Sequence, residues 1–413
     1  MMPSVQAQNP DADKRIKELE EQIKKVNEQL ELLRDGGGAN TDDPFSGQMM
    51  KTQSGLRLSF YGEAKYNWTR GSKGNYFDPH RFVLTPTYQV NDWIYFNSEL
   101  ELEHGGVDDD DESRFRGALE LEQFYADVKV NDWLTWRSLG VSLIPVGSIN
   151  LVHEPTTFYS VHRPIMYKYI VPSSWMEGAT GFHGEMPGVE GLSWQFLISQ
   201  GMSTENGTIQ DGSNGVRGTR PRLDVSGRPQ DEKLAYSFRL AYDGSSSEQE
   251  WLKGFSGSVS TYIGNYEETG ALGDTTAVLW DVEGKYRFQS GALKNLELIA
   301  DYAQWNFGTP EAISDVNVGD RMYGYRMEAA YHIPYGTGSA EVVPFLRYEG
   351  FDTSDGPGKA GFVETGSSNY LGYGASWFLH ENMVLKGAMR QSLDDHSNTE
   401  FSVGVGWSVL KNE

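Results

Sequence analysis

The chain has 413 residues and not one cysteine. A disulfide framework, a thiolate nucleophile and a cysteine-ligated zinc or iron–sulfur centre are therefore excluded. Basic residues are scarce: 35 Lys and Arg stand against 58 Asp and Glu, a formal net charge of −23. Affinity for phosphate backbones comes from clustered cations, so no nucleic-acid partner is expected. No run of 18 or more apolar residues occurs, which removes a transmembrane helix. The hydrophobic fraction is only 38%, but that figure does not touch a membrane β-barrel, whose strands alternate lipid-facing and lumen-facing side chains. Catalytic motifs are missing too. There is no Gly-x-Ser-x-Gly elbow, His-Glu-x-x-His or phosphate loop; the Gly-x-Gly-x-x-Gly match at 356–361 contains Pro357, and the eight histidines form no metal-spaced pair. An enzyme is not expected.

What is present begins with a helical pattern. Ile16, Leu19, Ile23, Val26, Leu30 and Leu33 follow one another at intervals of 3, 4, 3, 4 and 3, with Lys, Glu and Gln between them. That is the seam of a coiled coil over 11–35. Fewer than three heptads make a marginal helix on their own, so the segment calls for partner copies. Residues 1–10 precede it, where Val5-Gln6-Ala7 resembles the small-residue end of an export signal. Gly36, Gly37 and Gly38 open a flexible linker over 36–54.

From Gly55 onward the period is two. Leu58, Phe60, Gly62, Ala64, Tyr66 and Trp68 alternate with Ser59, Tyr61, Glu63, Lys65 and Asn67, and the pattern recurs to Val409. It predicts about 16 strands. The links between them alternate in length. Asn91-Asp92, Asn131-Asp132 and 380–382 are short, whereas 104–113, 147–175, 200–233, 306–320 and 352–367 are long. One end of the sheet is trimmed and the other elaborated, as in outer-membrane barrels. Aromatic residues such as Trp93, Trp133, Trp136, Trp377 and Trp407 fall near strand ends, where amphipathic rings sit at a membrane–water interface. The expected fold is an all-β transmembrane antiparallel barrel over 55–413, preceded by the coiled-coil helix.

The polar face of these strands carries Arg57, Lys65, Arg81, Arg116, Arg239, Arg326, Arg347, Lys386 and Arg390, together with Glu99, Glu101 and other carboxylates. The two signs nearly cancel, and charges inside a large barrel need water, so the wall is that of an aqueous channel. The acidic run of Asp108, Asp109, Asp110, Asp111 and Glu112 sits in a long link, where oxygen ligands could take up Ca²⁺.

The stretch 140–155 (Gly-Val-Ser-Leu-Ile-Pro-Val-Gly-Ser-Ile-Asn-Leu-Val-His-Glu-Pro), with Arg163-Pro164 and Pro172-Ser173-Ser174-Trp175-Met176-Glu177-Gly178 after it, resembles the third-loop region of the phosphate-selective porin O/P family. The resemblance extends diffusely to the Gly-rich final strand and the short coiled coil. It implies a homotrimeric 16-stranded channel in the bacterial outer membrane, among lipid and lipopolysaccharide, with its coiled coil in the periplasm. It also implies that loop 147–175 folds into the lumen as the constriction, which Asn150, His153, Glu154, His162, Arg163 and Lys168 would then line. Their charge is slightly positive and would rise as the histidines protonate near pH 6 to 7. The family's dense basic ladder is absent here, and the last strand runs into Lys411-Asn412-Glu413 without a terminal aromatic residue. The expected function is passive diffusion of ions and small hydrophilic solutes with a weak, phosphate-like anion preference. The alternative is a barrel that tethers the envelope and conducts little, and a hydrolase on Ser160 with His153 or His162 is a remote third.

Overall fold

A computed structural model of the chain describes residues 55–70, 75–105, 117–201, 234–266, 275–308, 319–336, 338–358, 366–394 and 399–409. The heptad segment, its linker, Arg116 and the acidic run 108–112 lie outside the described residues. The strands in chain order are β1 (Gly55–Thr69), β2 (Tyr76–Asn91), β3 (Ile94–Glu103), β4 (Leu119–Asn131), β5 (Leu134–Leu143), β6 (Met176–Glu185), β7 (Leu192–Gln200) and β8 (Leu234–Asp243). They continue as β9 (Phe255–Tyr266), β10 (Thr275–Arg287), β11 (Leu296–Phe307), β12 (Gly319–Tyr331), β13 (Ile333–Pro334), β14 (Glu341–Gly358), β15 (Ser368–His380), β16 (Met383–Ser392) and β17 (Thr399–Val409).

Because β13 only resumes β12 beyond His332, the sheet has 16 staves. Each pairs antiparallel with its sequence neighbours, and β17 returns to β1 from Phe60↔Val409 to Thr69↔Glu400. The cylinder is closed and leaves no unpaired edge. Its short links are built by side chains. Asn91 Oδ1 accepts the backbone N–H groups of Trp93 and Ile94 at 3.0 and 2.8 Å, and Asn131 Oδ1 accepts that of Trp133 at 3.0 Å. The two identical Asn-Asp-Trp turns are thus held by the same asparagine contacts.

Two strands end differently from the alternation's forecast. β5 stops at Leu143 instead of running through Val146. Pro145 has no N–H to donate, and the Val146 N–H turns back onto Ile144 O at 2.7 Å. β14 runs on to Gly358, past the loop start expected at Asp352. There it pairs irregularly with β12 as far as Gly319↔Gly358, and Asp352, Thr353 and Ser354 are buried.

The polarity is inside out. On β1 the inward Ser59, Tyr61, Glu63, Lys65 and Asn67 are at most 8% exposed, while the outward Leu56 and Leu58 are 71% and 60% exposed. The same division holds around the wall, where Phe96, Phe124, Phe238, Val259, Leu298, Met327, Leu346 and Val403 all face out. A continuous apolar band on a closed cylinder belongs in hydrocarbon and would be a gross liability in water. Trp93 and Trp133, both exposed at the short-link end, sit where an aromatic girdle would.

Phe238 lies in the middle of β8 and faces outward. The variant Phe238→Arg should lose roughly 2–4 kcal/mol of unfolding free energy in lipid vesicles, measured by urea titration, while Phe238→Leu stays close to the parent.

Candidate functional site

The link between β5 and β6 does not leave the barrel. It contains two single-turn helices, α1 (Ser148–Leu151) and α2 (Met166–Tyr169). Asn150 ties its two roots together. Its Nδ2 donates to Ile144 O at 2.8 Å, and its Oδ1 accepts the Trp175 N–H at 2.6 Å. Gly147 makes the entry turn at φ +76°, where a Cβ would lie 2.7 Å from the Tyr167 ring.

From these roots the segment crosses the lumen, and nearly every wall sector holds it. Arg81 Nη2 on β2 donates to His153 O at 2.6 Å, and the Ser148 N–H reaches Glu283 on β10 at 2.6 Å. The Tyr159 hydroxyl donates to Glu297 on β11 at 2.8 Å. Lys386 Nζ on β16 donates to Phe158 O and Ser160 O at 2.6 and 3.0 Å and lies 3.7 Å over the Phe158 ring. His162 Nε2 lies 2.8 Å from Asn67 Oδ1 on β1 and 3.2 Å from a Glu400 oxygen on β17. The Ile165 N–H donates to Glu349 on β14 at 2.7 Å.

The other anchor is apolar. Met166, Tyr167, Ile170, Val171 and Trp175 pack against Ala235, Tyr262, Ala277, Leu279, Ala303, Trp305 and Met322, which turn inward from β8 to β12. Small residues make room there. A Cβ on Gly324 would lie 2.8 Å from the Met166 Cβ and 2.9 Å from the Ile170 Cγ1. Trp305 Nε1 also donates to Ile170 O at 2.8 Å. Nothing in the alternation marks this seat, since Ala277, Ala303 and Gly324 read as weak strand residues; with Tyr61, they are the parts of the site that the sequence reasoning missed.

The rest of the wall is a lattice of cross-strand ion pairs. Arg81 and Glu63 meet at 2.9 Å, Arg137 and Asp127 at 2.8 Å, Arg326 and Asp301 at 2.5 Å, and Arg390 and Glu400 at 2.6 Å, while Arg347 pairs with Glu328. All five are directly opposed in register. Arg239 reaches Glu283 at 3.4 Å. Lys65 is buried on the same wall and Arg57 is half-buried near the start of β1.

The six residues expected at a constriction take different places. Asn150 and His153 are buried at the loop's first root, Glu154, His162 and Arg163 are partly accessible, and Lys168 is exposed, its ammonium 5.1 Å from the Tyr169 ring. His162 and Arg163 border a recess shared with Arg347, Glu349, Arg390 and Glu400. Neither histidine serves Ser160: His153 faces Tyr61 and Glu122, and His162 faces Asn67, Ser402 and Glu400. The expected rise in positive charge near pH 6 to 7 does not follow from this geometry. Burial, reinforced by Arg163, brings His153 down to about 3, and burial lowers His162 against the opposing pull of Glu400. Asp78 Oδ2 lies 3.1 Å from Nδ1 of His80, two residues on, and Asp78 Oδ1 lies 2.8 Å from Nδ1 of the distant His104.

No family model matches the chain. An uncharacterized protein of Aquifex aeolicus is 26% identical over 380 residues, 88% of this chain and 82% of that one. Among solved structures, Salmonella typhi OmpF in complex with daunomycin matches with a TM-score of 0.55 at 15% identity, covering 86% of this chain and 97% of that one. The trimer form of OmpT, an outer-membrane protein of Vibrio cholerae, matches at 0.52 and 9%, covering 86% and 100%. The outer-membrane channel DcaP of Acinetobacter baumannii matches at 0.52 and 12%, covering 87% and 98%. At these identities the likeness is one of fold.

Two outcomes check the site. Gly324→Val should unseat α2 at an overpacking cost of about 1–3 kcal/mol, seen as faster tryptic cleavage after Lys168 in the folded barrel; unchanged cleavage would mean that the apolar seat does not hold the loop. His162 should titrate below the ordinary value of 6.5. Because the folded state favours the neutral ring, its contribution to stability is complete above pH 6.5 and is lost as pH falls through the lower folded value. Imidazole carbon shifts would read the midpoint directly.

Proposed function

We propose that the chain is an outer-membrane porin, a narrow channel for ions and small hydrophilic solutes constricted by loop 147–175. The inside-out polarity of a closed 16-staved cylinder carries this reading. An apolar exterior needs lipid, and a charged interior needs water or counter-charge. The inward loop supports it, since it occupies part of the bore and borders a recess lined by charged side chains. The fold that the chain shares with an outer-membrane channel and with a trimeric outer-membrane protein supports the location and a homotrimer.

Selectivity is set at the recess beside the loop. Arg163, Arg347 and Arg390 face Glu349 and Glu400 there, with His162 neutral. Arg347 and Arg390 are held by carboxylates, whereas Arg163 donates to Ser173 Oγ at 2.9 Å and has no carboxylate within ion-pair distance among the described residues. Its unneutralised charge gives a weak preference for small anions, phosphate included, without the dense ladder of the phosphate-selective porins. The six heptad residues over 11–35 would hold three copies together in the periplasm, and the acidic run 108–112 would face lipopolysaccharide and its bridging cations. A second reading, an envelope-tethering barrel of low conductance, gains from the near-complete burial of the paired wall charges.

Planar-bilayer recording separates the two. A porin gives small conductance steps in groups of three, and a tether gives none. Arg163→Glu should move the reversal potential in a KCl gradient toward potassium, while an unchanged potential would remove the recess from the ion path.

A further inference from the structure

The ion-pair lattice leaves carboxylates unmatched on β3 and β4. Glu99 and Glu101 on β3 and Glu122 on β4 face inward together, where the wall offers them Arg81. Arg81 already holds Glu63 at 2.9 Å and stands 3.7 Å from Glu101. Glu122 is fully buried, and neither of its carboxylate oxygens has a hydrogen-bond partner. An ionised carboxylate left in that state is strongly destabilising.

The group facing Glu122 is a second acceptor. His153 Nδ1 lies 3.0 Å from Asn150 O, and a carbonyl can only accept, so the ring proton sits on Nδ1 and Nε2 presents a lone pair. That lone pair is 3.6 Å from Glu122 Oε2. Gln123 Nε2 donates to Glu99 Oε2, and the Tyr61 hydroxyl, which lies 2.8 Å from Glu99 Oε1 and 3.0 Å from His153 Nε2, cannot serve both. Ligand atoms of Glu99, Glu122 and His153 all fall within 4.8 Å of one another. Among the described residues, both oxygens of Glu122 and one of Glu99 Oε1 and His153 Nε2 are left without a donor.

We propose that Glu99, Glu122 and His153 chelate a divalent transition-metal ion that staples the root of the lumen loop to the barrel wall. Ligands at 2.0–2.1 Å in a tetrahedron stand about 3.3 Å apart, close to the Glu122–His153 separation. A ring N–H donated to a backbone carbonyl is the outer contact that orients metal-binding imidazoles. One imidazole with two carboxylates suits zinc, iron or manganese, whereas calcium calls for six to eight oxygens. The ion would join β3 and β4 to a segment more than 30 residues further along the chain, independently of whether the barrel conducts.

The test uses the full chain refolded into detergent with Zn²⁺, with Ca²⁺, or with EDTA, and then dialysed. Elemental analysis should find one zinc per protomer in the first sample and no retained calcium in the second. The Zn²⁺-loaded barrel should also protect the loop from trypsin better than the EDTA-treated one. Glu122→Gln keeps the side chain's shape and removes its charge; it should cut retained zinc at least tenfold, as should His153→Gln. His80→Asn should retain zinc in full, because the Asp78–His80–His104 group is a separate cluster. Wild-type protein that folds and holds no zinc overturns the proposal and leaves the carboxylates sharing a proton. So does zinc that survives Glu122→Gln and is lost with His80→Asn. Should Glu122→Gln fail to fold, His153→Gln and the wild-type stoichiometry decide.

Discussion

The structure depends on one constraint: the inside of a 16-staved barrel cannot be filled by its own wall. Smaller barrels close on their side chains, but at this girth a core of wall residues leaves a void. The void must hold water, a second piece of chain, or both. Loop 147–175 is the second piece here, and its presence changes what the wall must do. Charges that an open lumen would hydrate are instead covered, so they must find counter-charges in the protein or destabilise it.

Register solves most of that problem. In an antiparallel pair two directly opposed side chains stand about 5 Å apart on one face, which suits Arg against Asp or Glu. Arg81–Glu63, Arg137–Asp127, Arg326–Asp301, Arg347–Glu328 and Arg390–Glu400 all use it. A slip of one residue between two neighbouring strands would break such a pair and turn one of its members toward lipid. The lattice therefore also specifies how the strands align, a role for which the apolar exterior, forgiving of any greasy residue, is poorly suited.

How much of this was legible in the sequence follows from which interactions are periodic. Strand positions were readable because lipid on one side and polar lumen on the other impose a strict period of two from Leu58 to Val409. The strand ends that departed from that reading answer to local chemistry, the missing N–H of Pro145 and the inward polar run Asp352, Thr353 and Ser354. The charged wall was readable as a set of residues but not as pairs, because pairing needs register. The seat for α2 was invisible, since Ala277, Ala303 and Gly324 matter for what they lack. Nor could spacing suggest that His153 would meet Glu122, or that His104 would reach the Asp78 carboxylate beside His80, for the fold makes both encounters across links of many residues.

The loop's two anchorages do different jobs. The apolar seat on β8 to β12 fixes α2 by shape and excludes water from that side of the bore. On the opposite side the segment from His153 to Arg163 is held by its backbone carbonyls, through Arg81, Lys386 and the Arg347 guanidinium, which lies 3.3 Å from His162 O. Arg81 and Arg347 reach these carbonyls while they also hold Glu63 and Glu328, so one guanidinium serves both the wall and the loop. The loop is thus clamped largely by cations whose charge is balanced within the wall, and Arg163 is the guanidinium beside it that has no carboxylate at ion-pair distance among the described residues.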